Sequence, residues 1–336
     1  MNLRSLPFTD YSQPYYDSNA MNELSSGYNI WAAWGDFTYA PENMYGVYFN
    51  KAITESLGLV SPYAQVADGS WTWETLFANA KAAAALLDAD GIAATVGDNL
   101  GNLPLSVTEQ MVMLSSGLTL VDTGIDKTPV LAAEVSADTM HALTSVLRNG
   151  IYRSATSAGA DRYTAEYPND NALFAAGKML YHVNTLSHIP SYADISTEWG
   201  VLPIPKLTLT QEHYVSYTGD AAVICVPSSN GALEETGTLL QALFAASSRV
   251  QNDLYLDESL SYYVRDGKSI DMLDLICNSV SFDFAVSFSS GYPYLNYAVN
   301  HALHSSITQG TGFWDHFEYY KRSAQNELSK AFPTDR

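Results

Sequence analysis

Cysteine, basic side chains and long apolar runs are all scarce in this chain of 336 residues. Only Cys225 and Cys277 occur, with no metal-ligand spacing between them, which argues against a disulfide scaffold or a zinc module. Given the burial tendency of free cysteine, they are expected to be two separate buried thiols. Lys and Arg number 16 against 36 Asp and Glu, a formal net charge of −20. That balance argues against a nucleic-acid partner, which needs clustered cations, and against an anionic membrane surface. No run of eighteen apolar residues exists, so no membrane span is expected, and "MNLRSLPFTDYSQ" lacks the apolar centre of a secretory leader. Catalytic signatures are missing too: there is no GxSxG, HExxH, GxxxxGK or post-strand GxGxxG. A glycoside hydrolase, which needs only two opposed carboxyl groups, stays open at this level.

What the chain does have is apolar content of 47% and an unusual wealth of rings: 23 Tyr, 12 Phe and 6 Trp. The length suffices for two lobes with real cores. Flat amphipathic rings suit sugars or peptides, because each offers apolar area with a polar edge. "MYGVYFNKAITESLGL" (44–59) starts with Tyr45, Val47 and Phe49 on one face of an extended segment, a half-buried strand. It turns at once into a helix, with Asn50 placed to cap and Gly58 suited to the left-handed position after the last turn. Such units belong to α/β proteins.

Helices are expected after Thr72 in "WTWETLFANAKAAAALLDADG", between Pro104 and Gly117, between Ser136 and Gly150, and in "NDNALFAAG" ending near Gly177. Further helices are expected at about 231–247, 268–279, 292–306 and 312–330, and strands at 179–183, 199–202 and 214–226. The order is mixed α/β with an almost wholly helical last quarter, and no internal repeat. Asp88, Asp90 and Gly91 outline part of an acidic loop but lack the downstream ligands of a calcium site, so a solvated turn is expected. His301 and His304 lie three apart on a helix without companion ligands, and read as surface histidines rather than a metal site.

Several segments together resemble the extracellular solute-binding proteins of family 1, the binding subunits of ABC importers that mostly carry sugars. They are "FTDYSQPYYDSNAMNEL" (8–24), "MYGVYFNKAITESLGL" (44–59), "VADGSWTWETL" (66–76), "LFAAGKMLYHV" (173–183), "WGVLPIPKL" (199–207) and "YYVRDGKSIDMLDLI" (262–276). The resemblance implies a two-lobe, periplasmic-binding-protein-like (type 2) α/β fold with a helical C-terminal region. Residues 1–44 and 218–258 would form lobe one, short of its N-terminal strands, and 45–217 and 259–336 lobe two. "MYGVYFNK" would then mark the crossing between lobes, and Ser216–Asp220 the return.

The resemblance also implies a saccharide held between the lobes, a permease as partner, no cofactor, a monomer, and an extracytoplasmic place with lipid anchorage in the full-length form. A truncated fragment without function is the alternative. Carried over position by position, the ligand contacts would be Trp34 and Asp36 before the first crossing, with Trp31 as core. Asn99, Asn102, Asn184 and Thr185 would follow on loops, Tyr217 and Asp220 at the return, and Tyr292, Tyr294 and Asn296 at a late helix. The family's aromatic after the 179–183 strand is absent, since "NTLS" stands there.

Overall fold

The structure, a computed structural model, describes residues 1–87, 105–124, 127–131, 137–146, 169–219, 221–251 and 261–332. Its organising element is the strand β1 (Tyr45–Asn50), the centre of a three-stranded antiparallel sheet between β4 (Tyr181–Thr185) and β5 (Trp199–Leu202). Val47 pairs with Val183 on one side and Leu202 on the other. A short hairpin of β2 (Val121–Gly124) and β3 (Lys127–Leu131) lies apart from this sheet.

All six residues of β1 are buried, so the half-buried strand expected from its alternation is covered on both faces. Tyr45, Val47 and Phe49 join Trp71, Trp73, Phe313 and Phe317 in one core, while Tyr48 joins Phe174, Trp199 and Ile276 in a second. Tyrosine hides this from a sequence reading because its hydroxyl counts as polar. Inside, that group donates to the Thr185 carbonyl at 2.8 Å, and Trp199 Nε1 likewise reaches the Tyr192 carbonyl at 2.8 Å. With the polar tips of Tyr48 and Trp199 satisfied, each of these two rings contributes about 1.5–3 kcal/mol of burial.

The helix α2 (Lys51–Ser56) follows β1 directly, and the Asn50 side chain accepts from Ile53 N at 3.0 Å, as its position predicts. Gly58 takes φ +60°, a conformation that glycine adopts without strain. The helices α3 (Trp73–Leu87) and α4 (Leu105–Ser115) stand where the capping signals put them. Pro104, Ser136 and Gly150 lie outside the described residues. The last quarter is helical, with α6 (Gly267–Cys277), α7 (Phe284–Phe288), α8 (Pro293–Asn296), a π-helical turn at Tyr297–His301, a helix at Ala302–Thr308 and α9 (Phe313–Ala331). Cys277 is buried but Cys225 is exposed, against the expectation of two buried thiols.

A third, smaller core joins the chain's beginning to its middle: Leu3, Leu6, Tyr16, Ile30 and Ala33 pack on Val226, Leu240 and Phe244, the last two on α5 (Leu233–Gln251). The expected strand at 214–226 is not continuous. That segment makes isolated bridges to three partners in turn: Val280 at Ser216, Met44 at Thr218 and Ala33 at Ile224. Its sequence is strand-like because it is extended and apolar, but no single neighbour runs beside it. The third core draws only on residues 1–44 and 218–258, whereas the second joins Ala20, Leu24, Trp34 and Met44 with Leu273, Ile276 and Phe282.

Candidate binding site

The two segments expected to cross between lobes lie side by side. Met44 and Thr218 form an antiparallel bridge, Tyr45 N donates to the Tyr217 carbonyl at 3.0 Å, and Gly219 N to the Asn43 carbonyl at 3.1 Å. A third segment joins them where Ser216 N donates to the Ser279 carbonyl at 2.8 Å. Beside this junction is a cavity of about 280 Å³ to which distant parts of the chain contribute: Leu24, Gln110, Tyr217 with Thr218, and Ser281 with Phe282 and Phe288.

Its described lining residues are uncharged. Among the described residues, the lining polar groups are the Gln110 amide and the oxygens of Tyr217, Thr218, Ser281 and Ser287, set against the rings of Phe282 and Phe288. Tyr217 donates its hydroxyl to Gln110 Oε1 at 3.0 Å, which commits the Gln110 carbonyl and leaves its amide group as a donor. Hydroxyl and amide groups beside aromatic faces match a neutral polyol, whose hydroxyls need partners once water is excluded.

Charge lies just behind this wall. The helix α1 (Ser18–Glu23) ends at Glu23, whose Oε1 accepts from Ser281 Oγ at 2.9 Å and whose Oε2 accepts from Phe282 N at 2.5 Å. Burial pushes the Glu23 carboxyl up to about 7; the two hydrogen bonds oppose this, and Asp283 and Asp17 add to it. Asp283 is itself buried and raised to about 6, although Leu120 N, Ala285 N and Val286 N all donate to it, at 2.9, 2.7 and 3.3 Å.

Of the residues expected to touch ligand, Tyr217 lines this cavity. Trp34 does not: it is 3% exposed, edge-on to Tyr39 and Phe282 at 5.7 and 5.3 Å, and is a core ring. Trp31, expected in the core, is 39% exposed and donates its indole N–H to Ser26 Oγ at 2.8 Å. Their burial is the reverse of that expected, because the chain there is too irregular for a sequence period to assign faces. Asp36 is half-buried, hydrogen-bonds Ser248 of α5, and is raised by burial.

Asn184 and Thr185 are taken up locally. Asn184 donates to Asn171 Oδ1 at 3.1 Å and accepts from Thr185 N at 2.8 Å, and the Thr185 hydroxyl meets Ser187 Oγ at 2.7 Å. Tyr292 and Tyr294 line a different, more open concavity of about 520 Å³ with Ser323, Asn326, Glu327 and Lys330 of α9. Asn296 is half-buried and lines neither. Asn99, Asn102, Asp220 and the Asp88–Gly91 loop lie outside the described residues. His301 faces the rings of Tyr297 and His316 at 5.7 and 6.5 Å, and among the described residues no three ligating side chains group to hold a metal. No helix among them is long and apolar enough to cross a membrane.

Sequence reasoning missed Gln110, Ser281 and Phe282. None carries a local signal, since each gains its meaning from a partner far along the chain.

The chain has the two-lobe, periplasmic-binding-protein-like fold of the ABC sugar-binding proteins. An ABC substrate-binding protein from Listeria monocytogenes, solved with cycloalternan, matches at TM-score 0.53 and 14% identity, over 97% of this chain and 77% of that one. The galacto-N-biose/lacto-N-biose I-binding protein of Bifidobacterium longum, in complex with lacto-N-biose, matches at 0.53 and 16%, over 99% and 81%. A cyclic α-maltosyl-1,6-maltose binding protein from Arthrobacter globiformis matches at 0.55 and 11%, over 97% and 81%. No protein-family model and no curated protein matches the sequence.

Proposed function

We propose that this protein is the extracytoplasmic substrate-binding subunit of an ABC importer, holding a neutral saccharide in the cavity beside the crossing segments and delivering it to a permease. The observation that carries this reading is the cavity itself: uncharged among its described residues, lined by hydroxyl- and amide-bearing side chains and aromatic rings, and assembled from segments on both sides of the paired crossings. Solved proteins of the same fold bound to oligosaccharides support it. Residues 43–45, 216–219 and 279–281 serve as the hinge in this reading. A ligand that touches both sides shifts the population toward the closed form by its differential affinity for it. The protein works as a monomer, without a cofactor and without turnover, lipid-anchored at the cell surface.

Calorimetric titration against neutral mono- and oligosaccharides, with anionic sugars as controls, tests the proposal. One class of neutral sugar binds and is recovered intact. Release of reducing ends would instead mark a glycoside hydrolase.

A further inference from the structure

At the cavity wall a carboxyl group is bonded to a hydroxyl that also lines the cavity. Ser281 Oγ is 2.9 Å from Glu23 Oε1, while Glu23 Oε2 is held by the Phe282 amide. Glu23 belongs to α1 and Ser281 lies 258 residues further on, so the contact spans the junction. The charged groups around it are of one sign. Asp17 caps its own helix, Asp283 follows Ser281 and Phe282, and on β2, which packs against α1, exposed Asp122 is already paired with Lys127 at 2.9 Å. Among the described residues no cation faces Glu23.

A serine hydroxyl can donate or accept. We propose that Glu23 and Ser281 form a proton-operated switch on the cavity wall: ionised Glu23 takes the serine's hydrogen, whereas protonated Glu23 donates to Ser281 Oγ and frees that hydrogen for a ligand acceptor. No bond of the junction is lost in the exchange, because Oε2 keeps the Phe282 amide in both states and only the direction of the Oε1–Oγ bond reverses. The proton comes from solvent and returns to it. Burial first, and then the like charges of Asp283 and Asp17, favour the neutral form, and the raised Glu23 value of about 7 puts the exchange in the physiological range. The cavity therefore gains a donor as pH falls.

As a control on ligand affinity the switch rests on the binding function proposed above; as a property of the junction it does not, and the test begins there. In protein labelled with ¹³C at the glutamate carboxyl, without added ligand, the resonance missing from Glu23→Gln titrates near pH 7 rather than near 4.5. The Phe282 amide shift follows the same midpoint and loses that transition in Glu23→Gln, keeping only the Asp283 transition near 6. A Glu23 midpoint near 4.5, or a Phe282 titration unchanged in Glu23→Gln, overturns the switch. In Glu23→Gln the amide donates permanently to Ser281 Oγ. With maltotriose and lacto-N-biose as probes, binding weakens about tenfold from pH 6 to 8 in the wild type and stays level in that variant. Equal pH dependence in both overturns the ligand part of the proposal. Failure of both probes to bind at any pH counts against the binding function and this coupling, while the carboxyl titration still decides the switch at the junction.

Discussion

The sheet around β1 and the small core around Phe244 are built on different terms. β1 has a neighbour on each edge and an aromatic core on each face. In the small region, Ala221, Ala222, Val223 and Cys225 are exposed, and the segment's one bridge there joins Ile224 to Ala33. Tyr16 and Phe244, with ring centres 4.4 Å apart, are the aromatic rings buried in that small core. Stability should accordingly be uneven, high in the sheet and lower in the small core.

The largest effect expected from that difference is at Trp199, 2% exposed and in contact with Tyr48 and Tyr192. Trp199→Ala should lose about 3–5 kcal/mol of global stability in urea unfolding. Phe244→Ala should instead speed amide exchange in residues 1–33 and 221–251 while leaving β1 protected; equal loss of protection in both regions would erase the distinction.

Next in size is the dependence on pH. Glu23 and Asp283 both have values in the fold above their ordinary ones, about 7 against 4.5 and about 6 against 3.8. The folded protein keeps these protons where the unfolded chain has lost them, so stability falls as pH rises through those windows and levels off above about 7. At about 1.4 kcal/mol per pH unit, the Glu23 shift from 4.5 to about 7 accounts for roughly 3–4 kcal/mol. Melts at pH 5 and pH 8 should show Glu23→Gln gaining on the wild type at the higher value only.

Smaller still is the cap of α2. Asn50→Ala removes the acceptor for Ile53 N and should destabilise by about 1 kcal/mol, measured as a shift in the urea midpoint. The matching change in the less stable region, Asp17→Ala, removes the acceptor for Ala20 N at 2.8 Å but also relieves Glu23 of a like charge, so its loss should be smaller at pH 8 than at pH 5. Smallest is Lys127→Ala: its pair with Asp122 is more than half exposed on both sides, and the melt should move by less than about 0.5 kcal/mol.

The same contrast governs what the sequence made legible. β1 and α2 could be read because alternation, Asn50 and Gly58 are local signals; the structure keeps the strand, the cap and the turn, but buries β1 on both faces rather than one. The 214–226 segment could not, because an apolar extended run does not say whether one partner or three will flank it. Tyr217, named through its place at a crossing, lines the candidate cavity, while Trp34 went to the core because Tyr39 and Phe282 close over it. Glu23 sits inside a segment that was noticed, but its role depends on Ser281 and Phe282, and no local pattern encodes a contact so distant.

The central claim is that the cavity beside the crossings takes a neutral saccharide, and a thermal melt with and without millimolar sugars, in the wild type and in Gln110→Leu, tests it most directly. A ligand at one hundred times its dissociation constant adds about 2.7 kcal/mol, hence roughly several degrees. The account predicts that one class of neutral sugar raises the wild-type transition by that amount and leaves Gln110→Leu, which lacks the amide donor but keeps the fold, nearly unmoved. A sharp melt that no sugar shifts, or an equal shift in both proteins, would contradict it.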